Sequence, residues 1–222
     1  MCINKGGSRL KLIDMKVVDF SNEVDSSSPA PGGGSVAALA SNIGISLGRM
    51  MGNLSFGKKK FEVLDDNIKR EFKEKFEKLG LIRDNLLELV DKDTESFNEV
   101  MKAFKLPKET DDQKSIRKKA IQDATIKSID VPFETAKNSL DALELMEYFV
   151  DYGNQNAITD LGVGNLLLYT GLEGAILNVK VNLCGLNDSE FVEKKRFECE
   201  EMIGKGSKIK DCVLKRIHEK LI

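Results

Sequence analysis

The chemistry open to this chain rests on carboxylates, lysines and one glycine-led helix start. It holds a single histidine, His218, near the C-terminal end, which reads as a surface residue. Four cysteines, Cys2, Cys184, Cys199 and Cys212, show no CxxC spacing, so neither a zinc site nor a disulfide framework is expected. This inventory opposes a histidine- or metal-dependent hydrolase, and no metal-binding residues are assigned. The carboxylate that stands out is Asp93. Between Leu86 and Phe104 the apolar residues Leu86, Val90, Phe97, Val100, Met101 and Phe104 make one helical stripe, and at about 100° per residue Asp93 falls inside it. Asp91 points away, toward the expected solvent side. A carboxylate on a core-facing stripe is costly unless paired, and desolvation raises its pKa, as a general acid or base at neutral pH requires. The competing reading is an aspartate that caps a neighbouring helix.

Three other groups could bind something. The stretch SSPAPGGGSVAALA, residues 27–40, stacks two prolines and three glycines before an alanine-rich helix. Gly32, Gly33 and Gly34 leave backbone N–H groups unshielded, and Ser35 adds a hydroxyl; such a start suits an anion or a polar ring edge. A sharp loop with a serine cap is the plainer account. In the helix after Gly153, Asp160, Gly164, Gly171, Asn178 and Asn182 lie within about 40° of one line on an otherwise apolar segment. That face could line a cleft or form a packing seam. The run Lys58-Lys59-Lys60 after Gly57 could hold a polyanionic tail or simply be solvated.

These groups need elements to position them, and helical periodicity dominates the chain. A short helix is predicted from about Asp14 to Val24, and a second from Ser35 to about Leu54. A long one follows from Lys59 to about Leu106, bent near Gly80. Thr110 and Gln113 form a capping-box pattern opening a helix to about Ile129. Pro132 suits the first turn of another, which Gly153 stops. A further helix covers about Ile158 to Leu183, and Asn187 with Glu190 caps the last. Ala40, Gly44, Gly48 and Gly52, four apart, let two backbones approach closely, within the chain or between subunits. The fold expected is all-α: a single helical bundle over residues 14–222, with a Pro/Gly-rich loop at the ligand cleft and residues 1–13 as an N-terminal extension.

Charge and hydropathy exclude further classes. With 34 basic residues against 36 acidic ones the net charge is −2, so nucleic acid is not an expected partner. Residues 36–54 come nearest to a membrane span, but Arg49, Asn42 and Asn53 favour a buried helix. No signal peptide is recognised, and a cytoplasmic location is expected.

Taken together, the motifs resemble the folate cyclodeaminase/cyclohydrolase family. They are SSPAPGGGSVAALA at 27–40, GKKKF at 57–61, VDKDTESFNEVMKAFKLPK at 90–108, VPFETA at 131–136, GNQNAITDLGV at 153–163 and GLEGAILNVKVNL at 171–183. Each alone is weak, whereas the ordered set is specific. The resemblance implies an all-helical homodimer acting on a tetrahydrofolate one-carbon adduct, with no cofactor beyond that substrate. The activity implied is formiminotetrahydrofolate cyclodeaminase or methenyltetrahydrofolate cyclohydrolase, which the motifs do not separate. The family's acidic motif falls on Asp91-Lys92-Asp93, and the stripe selects Asp93 as catalytic. Thr94 and Ser96 stand where the family usually has alanine. Gly32, Gly33, Gly34, Ser35, Lys58, Lys59, Asn154, Asp160, Asn178 and Asn182 are the residues expected to bind substrate. A non-catalytic helical scaffold explains the bundle, but not readily a carboxylate on the core stripe beside a glycine loop.

Overall fold

Small residues decide where the central helix sits. The computed structural model describes residues 11–222; the first ten positions of the expected extension, with Cys2, lie outside the described residues. Within that span helix α1 covers Val17–Val24, α2 Gly33–Ser55, α3 Lys59–Glu62, α4 Asp66–Phe104, α5 Asp111–Glu147, α6 Phe149–Tyr152, α7 Ile158–Leu183 and α8 Ser189–Lys220. No strand occurs among the described residues, so the all-α bundle holds. The glycines of α2 meet the chain's own helices. A Cβ on Gly44 would lie 2.7 Å from the Gly164 carbonyl oxygen, one on Gly48 2.7 Å from Met146 Cε, and one on Gly52 2.6 Å from the Phe76 ring. The seam is therefore intrachain, the first of the two alternatives its spacing left open.

Residue pairs fix the directions. Gly33 meets Asn178 and Gly44 meets Gly164, so α2 and α7 run antiparallel. Ser35 meets Asp93 and Asn42 bonds Arg83, so α2 and α4 are antiparallel too. Ser41 bonds Ser139 at 2.6 Å, and with Gly48 on Met146 this sets α5 parallel to α2, behind the α2/α7 pair. Helix α8 closes the far side of α7, with the Asn165 amide donating to the Lys210 carbonyl.

Several boundaries differ from expectation, each for a local reason. The first helix begins at Val17, because Met15 and Lys16 are extended; a 3-10 turn, Leu12–Asp14, precedes it. Its Leu12 N–H donates to Asp91 Oδ1 at 2.6 Å, which corrects the solvent-facing reading of Asp91. That carboxylate is half-buried and anchors the N-terminal turn against α4. The long helix breaks at residues 63–65 rather than bending at Gly80. Asp65 restarts it by accepting from Asn67 N–H at 2.8 Å, and at Gly80 the Arg49 guanidinium fills the space a Cβ would take. The capping box at Thr110 and Gln113 is present, but α5 continues through Pro132 to Glu147. Pro132 has no N–H for the Ser128 carbonyl, yet Ile129, Ala136 and Leu143 are fully buried on either side, and their packing holds the helix together. Helix α8 is capped by Asp188, whose Oδ1 accepts from Phe191 N–H, and not by Asn187.

Candidate active site

Asp93 stands against the start of α2. Its Oδ2 accepts from the Ser35 N–H at 2.9 Å and lies 3.2 Å from the Ser35 hydroxyl. That hydroxyl also donates to the Val90 carbonyl at 2.8 Å and lies 3.3 Å from the Thr94 hydroxyl. Asp93 therefore caps α2 from a neighbouring helix, the competing reading of the sequence, and the cap leaves Oδ1 for other work. No side chain caps α2 from its own N-cap, Gly32, and the first backbone bond runs from Val36 N–H to Gly32. The amides of Gly33 and Gly34 thus head the helix beside the carboxylate. Gly34 admits that approach: a Cβ there would lie 2.6 Å from Asp93 Oδ2. Burial pushes the Asp93 carboxyl above its ordinary value, and the two Ser35 hydrogen bonds oppose the rise.

The sequence-predicted binding residues divide between the two ends of the bundle. Asn178 lies at the Asp93 end, with its amide 3.2 Å from where a Gly33 Cβ would be and donating to Gly174 O at 2.9 Å. Asn182 is one turn farther along α7 and half-buried. Asp160 is at the opposite end of that helix, about 27 Å from Asn178 at 1.5 Å per residue, so within one chain the polar line cannot form a single site. Lys58, Lys59 and Lys60 are also at that far end. They line a cavity of about 590 Å³ with Ser55, Tyr152 and Asn154. Asn154 closes it by donating its amide to the Leu54 carbonyl, while its N–H donates to Ser55 Oγ, both at 2.8 Å.

A second cavity, of about 540 Å³, opens one turn beyond Asp93 between α4 and α5. Ser96 lines it and bonds the Asp93 carbonyl at 2.9 Å. Asp123, Lys127 and Ser128 face it from α5. No periodicity marks these three, because α5 reads as a solvated polar helix there. The one signal was Ser96 itself, a polar residue on the edge of an apolar stripe. Among the described residues no three His, Cys, Asp or Glu side chains converge as a metal site needs.

The geometry defines an all-helical protein with a shielded carboxylate set against a glycine-led helix start. Residues 16–201 match the family model for formiminotransferase-cyclodeaminase, and the chain belongs to that family. It is 35 % identical over 202 residues to a methenyltetrahydrofolate cyclohydrolase of Methylorubrum extorquens, covering 91 % of this chain and 95 % of that one. It is 32 % identical to the formimidoyltransferase-cyclodeaminase of Rattus norvegicus, of which it spans 36 %. The crystal structure of a formiminotetrahydrofolate cyclodeaminase from Thermotoga maritima shares the fold, with a TM-score of 0.73 at 23 % identity over 93 % of this chain and 96 % of the other.

Proposed function

We propose that this one-carbon folate enzyme is a formiminotetrahydrofolate cyclodeaminase in which Asp93 moves the proton. The observation that carries the reading is the Asp93 carboxylate itself, held through Oδ2 by Ser35 and made more basic by burial. In the reaction a folate nitrogen attacks the neighbouring formimino carbon and forms a tetrahedral centre. The formimino group enters protonated, as =NH2+; the attacking nitrogen loses a proton and the departing nitrogen gains one, so that ammonia leaves and the cationic methenyl bridge remains. One carboxylate serves both transfers, as base and then as acid. The Gly33 and Gly34 amides, with Asn178 and Asn182, suit the polar edges of the pterin ring. Lys58, Lys59 and Asn154 suit the carboxylates of the glutamate tail. Asp160, far from Asp93 in the same chain, is kept as a binding residue only in an assembly that brings the two ends together.

The cyclohydrolase reading has its own support: the Methylorubrum relative is a stand-alone chain matched over almost its full length. The two reactions share the tetrahedral carbon and differ in whether water or a formimino nitrogen completes it. Purified protein given each folate separately decides between them. Methenyl absorbance appearing from the formimino compound supports the cyclodeaminase, and methenyl absorbance lost in the second mixture alone supports the cyclohydrolase. Absence of both reactions would overturn the assignment.

The working form proposed is a cytoplasmic homodimer. Among the described residues no helix is long and apolar enough to cross a membrane. The glycine seam no longer argues for a dimer, being satisfied within the chain. Its support comes from the outer surface of α2 and α7, where Ile43, Leu54, Val163, Leu177 and Val181 are exposed.

A further inference from the structure

Thr94 sits inside α4 and is only 4 % exposed, so its hydroxyl must find a partner within the protein. A helical Ser or Thr commonly returns its hydroxyl to the carbonyl four residues back. Ser55, Thr135 and Ser139 do so, bonding the carbonyls of Met51, Val131 and Thr135 at 2.7, 3.1 and 2.7 Å. For Thr94 that carbonyl belongs to Val90, and the Ser35 hydroxyl already donates to it from α2 at 2.8 Å. Thr94 Oγ1 lies instead 3.3 Å from Ser35 Oγ, its one hydrogen-bond partner among the described residues.

Ser35 Oγ therefore has three neighbours and a single proton to give. The Val90 carbonyl and an ionised Asp93 Oδ2, at 3.2 Å, can only accept, so Ser35 serves one of them at a time. Thr94 is the neighbour that can donate to Ser35 in return. A donor behind a donor strengthens it, and most of all where the chain ends on a charge. The order Thr94 to Ser35 to Asp93 thus suits the carboxylate. An incoming proton settles on Oδ1, because Oδ2 keeps the Ser35 N–H, and the Ser35 hydroxyl swings back to the shorter Val90 contact.

Among the described residues no charged side chain competes for Asp93. Helix α2 is uncharged from Gly33 to Gly48. On α4, Asp91 is turned to Leu12 and Lys92 to Glu88, and Glu95 is exposed. Lys180 of α7 lies toward Cys199 of α8. Glu173 of α7, Asp123 and Lys127 of α5, and Lys11 and Asp14 at the N-terminal turn are exposed. What moves the Asp93 carboxyl is burial, which raises it, against its two Ser35 bonds, which lower it.

We propose that Thr94 is a positioning residue for Asp93: its hydroxyl donates to Ser35 and turns the Ser35 hydroxyl onto the carboxylate, holding Asp93 ready as a base. The inference rests on the Asp93 reading above. Thr94 is buried, so it acts on proton transfer and leaves substrate binding alone.

Three variants separate the hydroxyl from the bulk that carries it. Thr94→Val keeps the shape and loses the hydroxyl, Thr94→Ser keeps the hydroxyl and loses the methyl, and Thr94→Ala loses both. The readout is the carboxyl-carbon NMR signal of isotope-labelled aspartate followed across pH, with the Asp93 signal identified by its loss in Asp93→Asn. The Asp93 midpoint should stand about half a pH unit higher in Thr94→Val and Thr94→Ala than in wild type, the size expected when a charged hydrogen bond loses the donor behind it. Thr94→Ser should titrate with wild type. A midpoint at or below the wild-type one in Thr94→Val or Thr94→Ala overturns the proposal, as does Thr94→Ser displaced as far as Thr94→Val. The titration uses no substrate, so its outcome stands whether or not the folate reading holds. On the folate that the protein turns over, the acid limb of kcat should move up with the midpoint, a loss of about threefold along that limb, with KM kept. A raised KM with an unmoved acid limb would mark a packing role and overturn the proposal as well.

Discussion

At the scale of single residues, two aspartates two positions apart do opposite work. Asp93 holds the head of α2 and Asp91 holds the N-terminal turn, through Ser35 and Leu12 respectively. Asp93→Asn keeps an oxygen acceptor for Ser35 but cannot take a proton, so kcat should fall by about 10²–10⁴ with little change in substrate affinity. The same variant should be at least as stable as wild type at neutral pH. Burial raises the Asp93 pKa in the folded state, so this group's contribution to stability is present below its ordinary value and is lost as pH rises through the raised one. Melting curves should therefore show the variant's advantage growing from acid toward neutral pH, and an advantage that grows as pH falls would contradict the burial account. With the carboxylate acting first as acceptor, wild-type turnover should decline as pH drops through that same raised value. Asp91→Ala leaves Leu12 N–H without its partner, and should cost about 1–3 kcal/mol in urea unfolding while sparing kcat. Loss of turnover in Asp91→Ala with turnover kept in Asp93→Asn would reverse the two roles. The stripe identified Asp93 because helix phase is local. It misjudged Asp91, because the partner of that carboxylate lies 79 positions away in the chain and no periodicity registers it.

At the scale of elements, small residues were legible as close contacts, but not the identity of what they contact. Gly44 and Gly48 look alike in sequence, one turn apart. A Cβ on Gly44 meets the backbone oxygen of Gly164, which cannot yield without moving α7. A Cβ on Gly48 meets the thioether end of Met146, which can swing aside. Gly44→Ala should therefore destabilise by about 1–3 kcal/mol. Gly48→Ala should be close to neutral, since the helix-propensity gain of about 1 kcal/mol offsets the displaced methionine. Equal losses in denaturant would show that α2 and α7 are not locked backbone to backbone. Similar reasoning separates the boundaries read correctly from those that were not. The capping box at Thr110 and the span of α7 follow from adjacent residues and were legible. Pro132 was read as a helix start because the rule for proline is local. The burial of Ile129, Ala136 and Leu143, which carries α5 through it, depends on helices distant in the sequence, chiefly α7 and α4.

At the scale of the whole molecule, a bundle with a central helix of 23 residues keeps its lysine cavity and its shielded carboxylate at opposite ends. Composition conceals this division, because a net charge of −2 says nothing of where Lys58–Lys60 and Asp93 stand relative to one another. The motifs were legible as an ordered set, whereas the distance between them was not, since it follows from helix length and from the antiparallel course of α7. If Lys58, Lys59 and Lys60 serve the substrate tail, their effect is electrostatic and belongs to binding rather than to the chemical step. The triple Lys→Ala variant should then raise KM more than it lowers kcat, and more for polyglutamyl than for monoglutamyl substrate. The difference should shrink as salt rises, because the screening length falls to about 8 Å at physiological ionic strength and lower still beyond it. Steady-state kinetics at two salt concentrations with both substrates provide the measurement. Identical constants for the two tail lengths, in wild type and variant alike, would remove the tail from the lysine end and leave Lys58–Lys60 as a solvated surface run.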